Sequence, residues 1–102
     1  MSIARDYANI VAWQMYKVGY RHITFYRSRM GYDLTAVDIR VNKVAVVCRY
    51  NNEREVNKAA VREAIEVRDG ENCRYGIVAS HSGYTKEAKE LAKENKIILW
   101  DI

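Results

Sequence analysis

Residues 31–50 read GYDLTAVDIRVNKVAVVCRY, and this stretch decides the fold. Residues 44–48 are apolar at every position, which is typical of a strand that is covered on both faces. Asn42 and Lys43 predict a short reversal between the strand at residues 44–50 and a preceding strand at residues 34–41. The stretch therefore predicts an antiparallel pair that leads into the centre of a sheet.

Hydrophobic periodicity outside this pair predicts three helices and three further strands. The helices are expected at residues 6–18, ended by Gly19, at residues 56–67, and from a Thr85 N-cap to Lys93; the strands are expected at residues 23–27, Tyr75–Ser80 and Ile97–Asp101. The resulting order is α-β-β-β-α-β-α-β. That order requires an α/β fold with a mixed sheet flanked by helices.

Length and composition indicate one small domain over residues 1–102, with 49% hydrophobic residues to form its core. No apolar run approaches the roughly 20 residues that cross a bilayer, and the first residues lack a signal-peptide pattern. We therefore expect no membrane partner and a cytoplasmic location. Cys48 and Cys73 have no metal-ligand spacing and are interpreted as packing residues, with a disulfide as the less favoured alternative.

The charge distribution is compatible with a polyanionic partner. The net charge is +4 and the isoelectric point is about 9.1. Basic residues alternate with tyrosines in the first half of the chain, at Lys17, Arg21, Arg27, Arg29, Arg40, Arg49 and Arg54 with Tyr20, Tyr26, Tyr32 and Tyr50. This pattern suits phosphate contacts and base stacking, although a solvated face with amphipathic tyrosines fits the composition equally well.

Six segments, in consistent order over nearly the whole chain, carry a family resemblance. They are GYDLTA at residues 31–36, VVCRY at 46–50, AVRE at 60–63, GIV at 76–78, SGYTKEAKELA at 82–92 and IILWD at 97–101. They resemble segments of Mrr-type restriction endonucleases, within the PD-(D/E)xK nuclease superfamily. The resemblance implies a restriction-endonuclease-like fold, a DNA partner and metal-dependent phosphodiester hydrolysis.

The family's active site has an aspartate at a strand entry, then an acidic residue or glutamine and a lysine two positions apart on the next strand. The resemblance places these positions on Asp33, Val47 and Arg49. Asp33 matches, as catalytic residue and as ligand for Mg²⁺, which prefers carboxylate oxygens. Val47 has no oxygen to offer, and Arg49 can hold a phosphate but cannot act as a base. Ala8 also stands where the family often has glutamate.

Glu63 is the favoured replacement for the missing ligand, since an acidic residue can migrate to the neighbouring helix in this superfamily. Asp38 is less suitable, because its separation of five residues from Asp33 points it to the opposite face of a regular strand. Two alternatives stay open. Arg49 can be a structural ion-pair partner of Asp33 in a decayed site, and Glu63 can be a solvated surface charge.

Two further residue types carry weaker signals. His22 and His81 have no second histidine or cysteine at ligand spacing and are interpreted as turn residues. Trp13 and Trp100 are interpreted as core or interface anchors.

The resemblance thus predicts a DNA-binding protein of restriction-endonuclease-like fold, which cleaves DNA with Mg²⁺ if Asp33, Arg49 and Glu63 form a working site. The DNA contacts are expected from Arg27, Arg29, Tyr50, Arg54 and Lys86. The alternative is a catalytically inactive protein-interaction module that retains the fold. A junction resolvase ranks below both, because it requires a complete acidic site. A homodimer is compatible with each of these alternatives, since nucleases of this superfamily often pair to cut two strands and a small domain gains stability from association.

Overall fold

Five strands form one mixed sheet in the computed structural model, which describes residues 3–28, 31–50 and 54–102. The strands are β1 (Arg21–Ser28), β2 (Gly31–Val37), β3 (Lys43–Arg49), β4 (Tyr75–Ser80) and β5 (Ile97–Asp101), and the helices are α1 (Ile3–Lys17), α2 (Lys58–Gly70) and α3 (Lys86–Asn95). The strands lie in the order β1-β2-β3-β4-β5, antiparallel from β1 to β3 and parallel from β3 to β5. The predicted α/β fold and its element order are confirmed.

Helices cover both faces of this sheet. On one face α1 packs against β2, β3 and β4 through residues that include Met15 and Leu34. On the other face α2 and α3 pack against β3, β4 and β5 through residues that include Val61 and Val47. Because successive residues of a strand point to opposite faces, the apolar run at residues 44–48 is divided between two cores. All five residues of the run are at most 5% exposed, as expected for a central strand.

One edge of the sheet collects the carboxyl ends of β3, β4 and β5. The strand directions bring the start of β2 and the end of β1 to the same edge. The helices α2 and α3 follow β3 and β4, so both helices begin there. We call this side of the molecule the carboxyl edge. A bridge between Val56 and Tyr84 fastens together the two loops that enter these helices, with Val56 N–H donating to the Gly83 carbonyl at 2.9 Å.

The turn between β2 and β3 is longer than the two-residue reversal predicted at Asn42 and Lys43. β2 ends at Val37, and residues 38–42 form the turn. The carboxylate of Asp38 ends the strand, because it accepts hydrogen bonds from the backbone N–H groups of Arg40 at 2.9 Å and Asn42 at 2.8 Å. Val41 has a φ of +65°, a left-handed conformation that a regular strand does not contain.

Two predicted helix starts are also wrong. α1 already includes Ile3, so Asp6 lies inside the helix and does not cap it, while the other candidate cap, Ser2, lies outside the described residues. α2 begins at Lys58, because the side chain of Asn57 accepts a hydrogen bond from the Ala59 N–H and caps the helix.

Among the described residues, no helix has the length and apolar character to span a membrane.

Tyr84→Phe tests the packing beneath the carboxyl edge. The buried Tyr84 hydroxyl donates to the Val78 carbonyl at 2.8 Å and lies against the Trp100 carbonyl. Losing this hydroxyl should lower the free energy of unfolding by about 1–2 kcal/mol, measured by urea denaturation. The exposed Tyr16 offers a matched control, and Tyr16→Phe should cost less than about 0.5 kcal/mol. Equal losses in the two variants would contradict this role for Tyr84.

Candidate active site

Asp33 lies fully buried near the start of β2, at the carboxyl edge. Its Oδ1 atom accepts hydrogen bonds from the backbone N–H of Cys48 at 3.0 Å and from Nη1 of Arg49 at 2.8 Å. A buried carboxylate loses its hydration, so it needs hydrogen bonds and an opposite charge in compensation. The guanidinium of Arg49 supplies that charge.

Arg49 is the last residue of β3 and connects Asp33 to α2. Its Nη1 atom binds Asp33, and its Nη2 atom binds the carboxylate of Glu63. Burial lowers the pKa of Arg49, but the carboxylates of Asp33 and Glu63 outweigh burial and raise that pKa above its usual value. Arg49 therefore stays protonated and cannot act as a general base. The structure thus brings together the three residues that the sequence singled out for catalysis.

The other two acidic positions of the family are filled by apolar packing residues. Val47 lies on the same face of β3 as Arg49 and is fully buried in the core under α2 and α3. Ala8 is fully buried in the core under α1. Neither residue supplies an oxygen atom to the site.

The carboxylates as arranged fit a guanidinium and do not fit a divalent cation. Mg²⁺ binds through one or two carboxylates together with waters and phosphate oxygens. Here Asp33 and Glu63 each bind Arg49, whose positive charge repels a cation at the same place. Within residues 3–28, 31–50 and 54–102, no three histidine, cysteine or acidic side chains are grouped as a metal site. The Mg²⁺ role of Asp33 stays a prediction.

Asp38, the other carboxylate considered, lies at the opposite edge of the sheet, because it follows the end of β2. Its Oδ2 atom accepts a hydrogen bond from the Tyr75 hydroxyl at 2.9 Å. Hydrogen bonds with Asn42 and Tyr75 hold the pKa of Asp38 below its usual value, although partial desolvation opposes them. Asp38 is therefore a turn residue that does not reach Asp33.

Tyr26 of β1 belongs to the site, although in the sequence it stands out only as one of the tyrosines among the basic residues. It pairs with Asp33 in the β1–β2 register, which places both side chains on one face. The Tyr26 hydroxyl and Asp33 Oδ2 are both buried, and neither has a hydrogen-bond partner among the described residues. Burial first, then the carboxylates of Asp33 and Glu63, raise the pKa of Tyr26 well above its usual value. The Tyr26 hydroxyl therefore stays protonated beside Asp33.

The residues predicted to contact DNA lie at the carboxyl edge, as far as the structure describes them. Arg27 is exposed near the end of β1, and Lys86 is exposed at the start of α3. Arg54 lines a cleft of about 370 Å³ in front of α2, together with Tyr50. Arg29 lies outside the described residues.

Tyr50 is held in place by two rings. Its ring centroid lies 5.3 Å from that of His81 in a stacked arrangement and 5.5 Å from that of Tyr7. His81 thus supports an aromatic side chain at the carboxyl edge.

Both cysteines are free thiols. Burial, followed by the nearby charge of Asp33, raises the pKa of Cys48, so this thiol stays protonated.

Comparisons with known proteins agree with this fold. The Mrr_cat family model, described as restriction endonuclease, matches residues 3–102. The search of curated proteins returned no match. EndoMS in apo form aligns over 94% of this chain and 45% of its own, with 18% identity and a TM-score of 0.73. A repair endonuclease from Pyrococcus abyssi aligns over 100% and 48%, with 18% identity and a TM-score of 0.69.

An EndoMS–dsDNA2 complex aligns over 96% of this chain and 44% of its own, with 18% identity and a TM-score of 0.69. At this identity the three structures show similarity of fold alone, and the chain spans less than half the length of each. The family model, by contrast, is matched by the amino-acid sequence itself over residues 3–102. The chain therefore belongs to the Mrr-type restriction endonuclease family.

Proposed function

We propose that this domain binds duplex DNA at its carboxyl edge and does not hydrolyse it, because Arg49 occupies the space between the two candidate metal ligands. The observation that carries the proposal is a single guanidinium bound to both Asp33 and Glu63. DNA binding is supported by the basic residues of the carboxyl edge and by the fold that this chain shares with EndoMS in its dsDNA2 complex.

The carboxyl edge has a charge pattern that suits phosphates. α2 starts there with Lys58 and has no acidic residue in its first turn. The free N–H groups at the start of a helix carry partial positive charge, which attracts anions. Arg54 and Lys86 add full charges beside the two helix starts, partly offset by Glu87 in the first turn of α3. Such contacts position a duplex without reading its sequence.

Hydrolysis lacks a base among the side chains of this site. Arg49 stays protonated, and the raised pKa of Tyr26 keeps its hydroxyl neutral. Val47 stands in place of the acidic residue or glutamine that the family carries on this strand. The carboxylates of Asp33 and Glu63 are both paired with the guanidinium of Arg49.

Titration of labelled duplex DNA tests both parts of the proposal. Protein is added at several salt concentrations, with EDTA or with Mg²⁺ or Mn²⁺, and binding and strand integrity are followed together. We expect intact strands and a linear fall of log affinity with log salt, at about 0.9 per phosphate contacted. Metal-dependent cleavage that Asp33→Ala abolishes would contradict the proposal that Arg49 keeps a metal ion out of the site. An affinity for duplex DNA no higher than background would contradict the proposed DNA binding. It would favour the alternative of a protein-interaction module.

Lys86→Gln should weaken DNA binding through the loss of one phosphate contact. We expect a fall of roughly threefold to tenfold near 0.1 M salt, with the salt slope reduced by about one. Lys93→Gln is the matched control, because Lys93 is exposed in the last turn of the same helix, away from the carboxyl edge. Fluorescence anisotropy with one labelled duplex measures both variants. Equal effects would mean that net charge, and not this edge, determines binding.

Arg49→Ala should open the site to a divalent cation. Removing one partner of a buried ion pair costs about 3–5 kcal/mol, so the variant should melt earlier than wild type in EDTA. Mn²⁺ should raise its melting temperature but leave that of wild type unchanged, since only the variant presents two unpaired carboxylates. The double variant Arg49→Ala/Asp33→Asn should lose the Mn²⁺ response.

Arg49→Lys is the second variant if Arg49→Ala does not fold. Lysine keeps the positive charge, but it lacks the planar fork that binds two carboxylates at once. Its Mn²⁺ response should lie between those of wild type and Arg49→Ala. A wild-type protein that Mn²⁺ stabilises as strongly as either variant would show that Arg49 does not close the site.

A further inference from the structure

The outward face of α1 carries a regular stripe of exposed residues. Its members are Ile3, Asp6, Ile10, Trp13 and Lys17, spaced alternately three and four residues apart. Such spacing lines one face of a helix and is typical of the contact seam between paired helices. The opposite face of α1 is already buried in the core. The helix is therefore apolar on two sides, and one of them faces solvent.

Three large apolar side chains in this stripe are too exposed to contribute to the core. Ile3, Ile10 and Trp13 are 65%, 52% and 60% exposed. Single exposed apolar residues are ordinary on protein surfaces, but an aligned group on one helix face is typical of an interaction surface. Trp13 was interpreted from the sequence as a core or interface anchor, and its exposure excludes the core.

Trp13 is held in place before any partner binds. The Tyr16 ring stacks on it, with centroids 6.0 Å apart and planes at 7°, and the Arg21 guanidinium carbon lies 4.0 Å from the Tyr16 ring centroid. A groove of about 330 Å³ continues the apolar surface from Trp13 to Ile23 and Phe25 of the edge strand β1. An ordered side chain loses less entropy on association, so this stack favours binding.

The charges of the stripe are complementary to those of an antiparallel copy of itself. In an antiparallel pair centred between residues 11 and 12, Ile10 of one copy faces Trp13 of the other, and Asp6 faces Lys17. A twofold axis generates each contact twice. A parallel pair would instead place Asp6 beside Asp6 and Lys17 beside Lys17, which is repulsive.

We propose that α1 is a homodimerisation surface, on which a second copy of this chain packs its own α1 antiparallel. Ile10 and Trp13 form the centre, and two Asp6–Lys17 ion pairs form the ends. The crossing angle expected for this spacing is about 20°. The surface lies on the sheet face opposite Glu63 and α2. The proposal therefore does not depend on the proposed DNA binding, and either can fail alone.

Sedimentation equilibrium over a range of protein concentrations tests the surface. Wild type should dimerise, and Ile10→Arg should weaken dimerisation by at least about tenfold, because it places two cations at the apolar centre. Asp6→Lys and Lys17→Glu should each weaken it severalfold by bringing like charges together. The combined variant Asp6→Lys/Lys17→Glu should recover most of the affinity, because both ion pairs form again with exchanged signs.

Lys89→Glu is the matched control for Lys17→Glu. Lys89 is exposed on α3, which packs on the other face of the sheet, so the same charge change should leave dimerisation unaltered. Circular dichroism confirms that each variant is folded. A wild type that stays monomeric up to about 1 mM overturns the proposal. A dimer that tolerates Ile10→Arg, or a double variant no better than the single reversals, also overturns it.

Discussion

The buried negative charge of Asp33 is the constraint on which the carboxyl edge depends. A carboxylate removed from water is stable only with an opposite charge and hydrogen bonds beside it, and Arg49 with the Cys48 N–H provides them. Arg49 also binds Glu63 on α2. One guanidinium therefore connects two strands and a helix at a single point. The guanidinium also lies between the two candidate metal ligands, Asp33 and Glu63.

A metal ion and a guanidinium both neutralise carboxylates, but they differ in what they can do next. A bound cation with open positions can activate water, whereas a guanidinium has only N–H donors and keeps its protons. The family's fold can therefore persist here while the chemistry changes. What remains at the carboxyl edge is positive charge, from side chains and helix starts, and this suits phosphate binding. Under the proposed function, Arg49 therefore allows DNA contact and prevents DNA hydrolysis.

The regular elements could be predicted because their patterns are local. Residues 44–48 are apolar on both faces, and only a covered central strand uses such a run. The turn after β2 could not be placed in the same way. Val37, Ile39 and Val41 alternate like a continuing strand, yet Ile39 and Val41 are 78% and 82% exposed. The hydrogen bonds of Asp38 end the strand, and apolar alternation does not reveal them.

The sequence alone determined what the site lacks, because side-chain chemistry does not depend on the fold. Val47 has no oxygen, and Arg49 is protonated in any environment near neutral pH. Only the tertiary structure decided which groups meet. The register of β1 and β2 brought Tyr26 beside Asp33, and the packing of α2 brought Glu63 to Arg49. Packing also left Trp13 on the outer face of α1. Such contacts join residues far apart in the chain, so local sequence patterns cannot specify them.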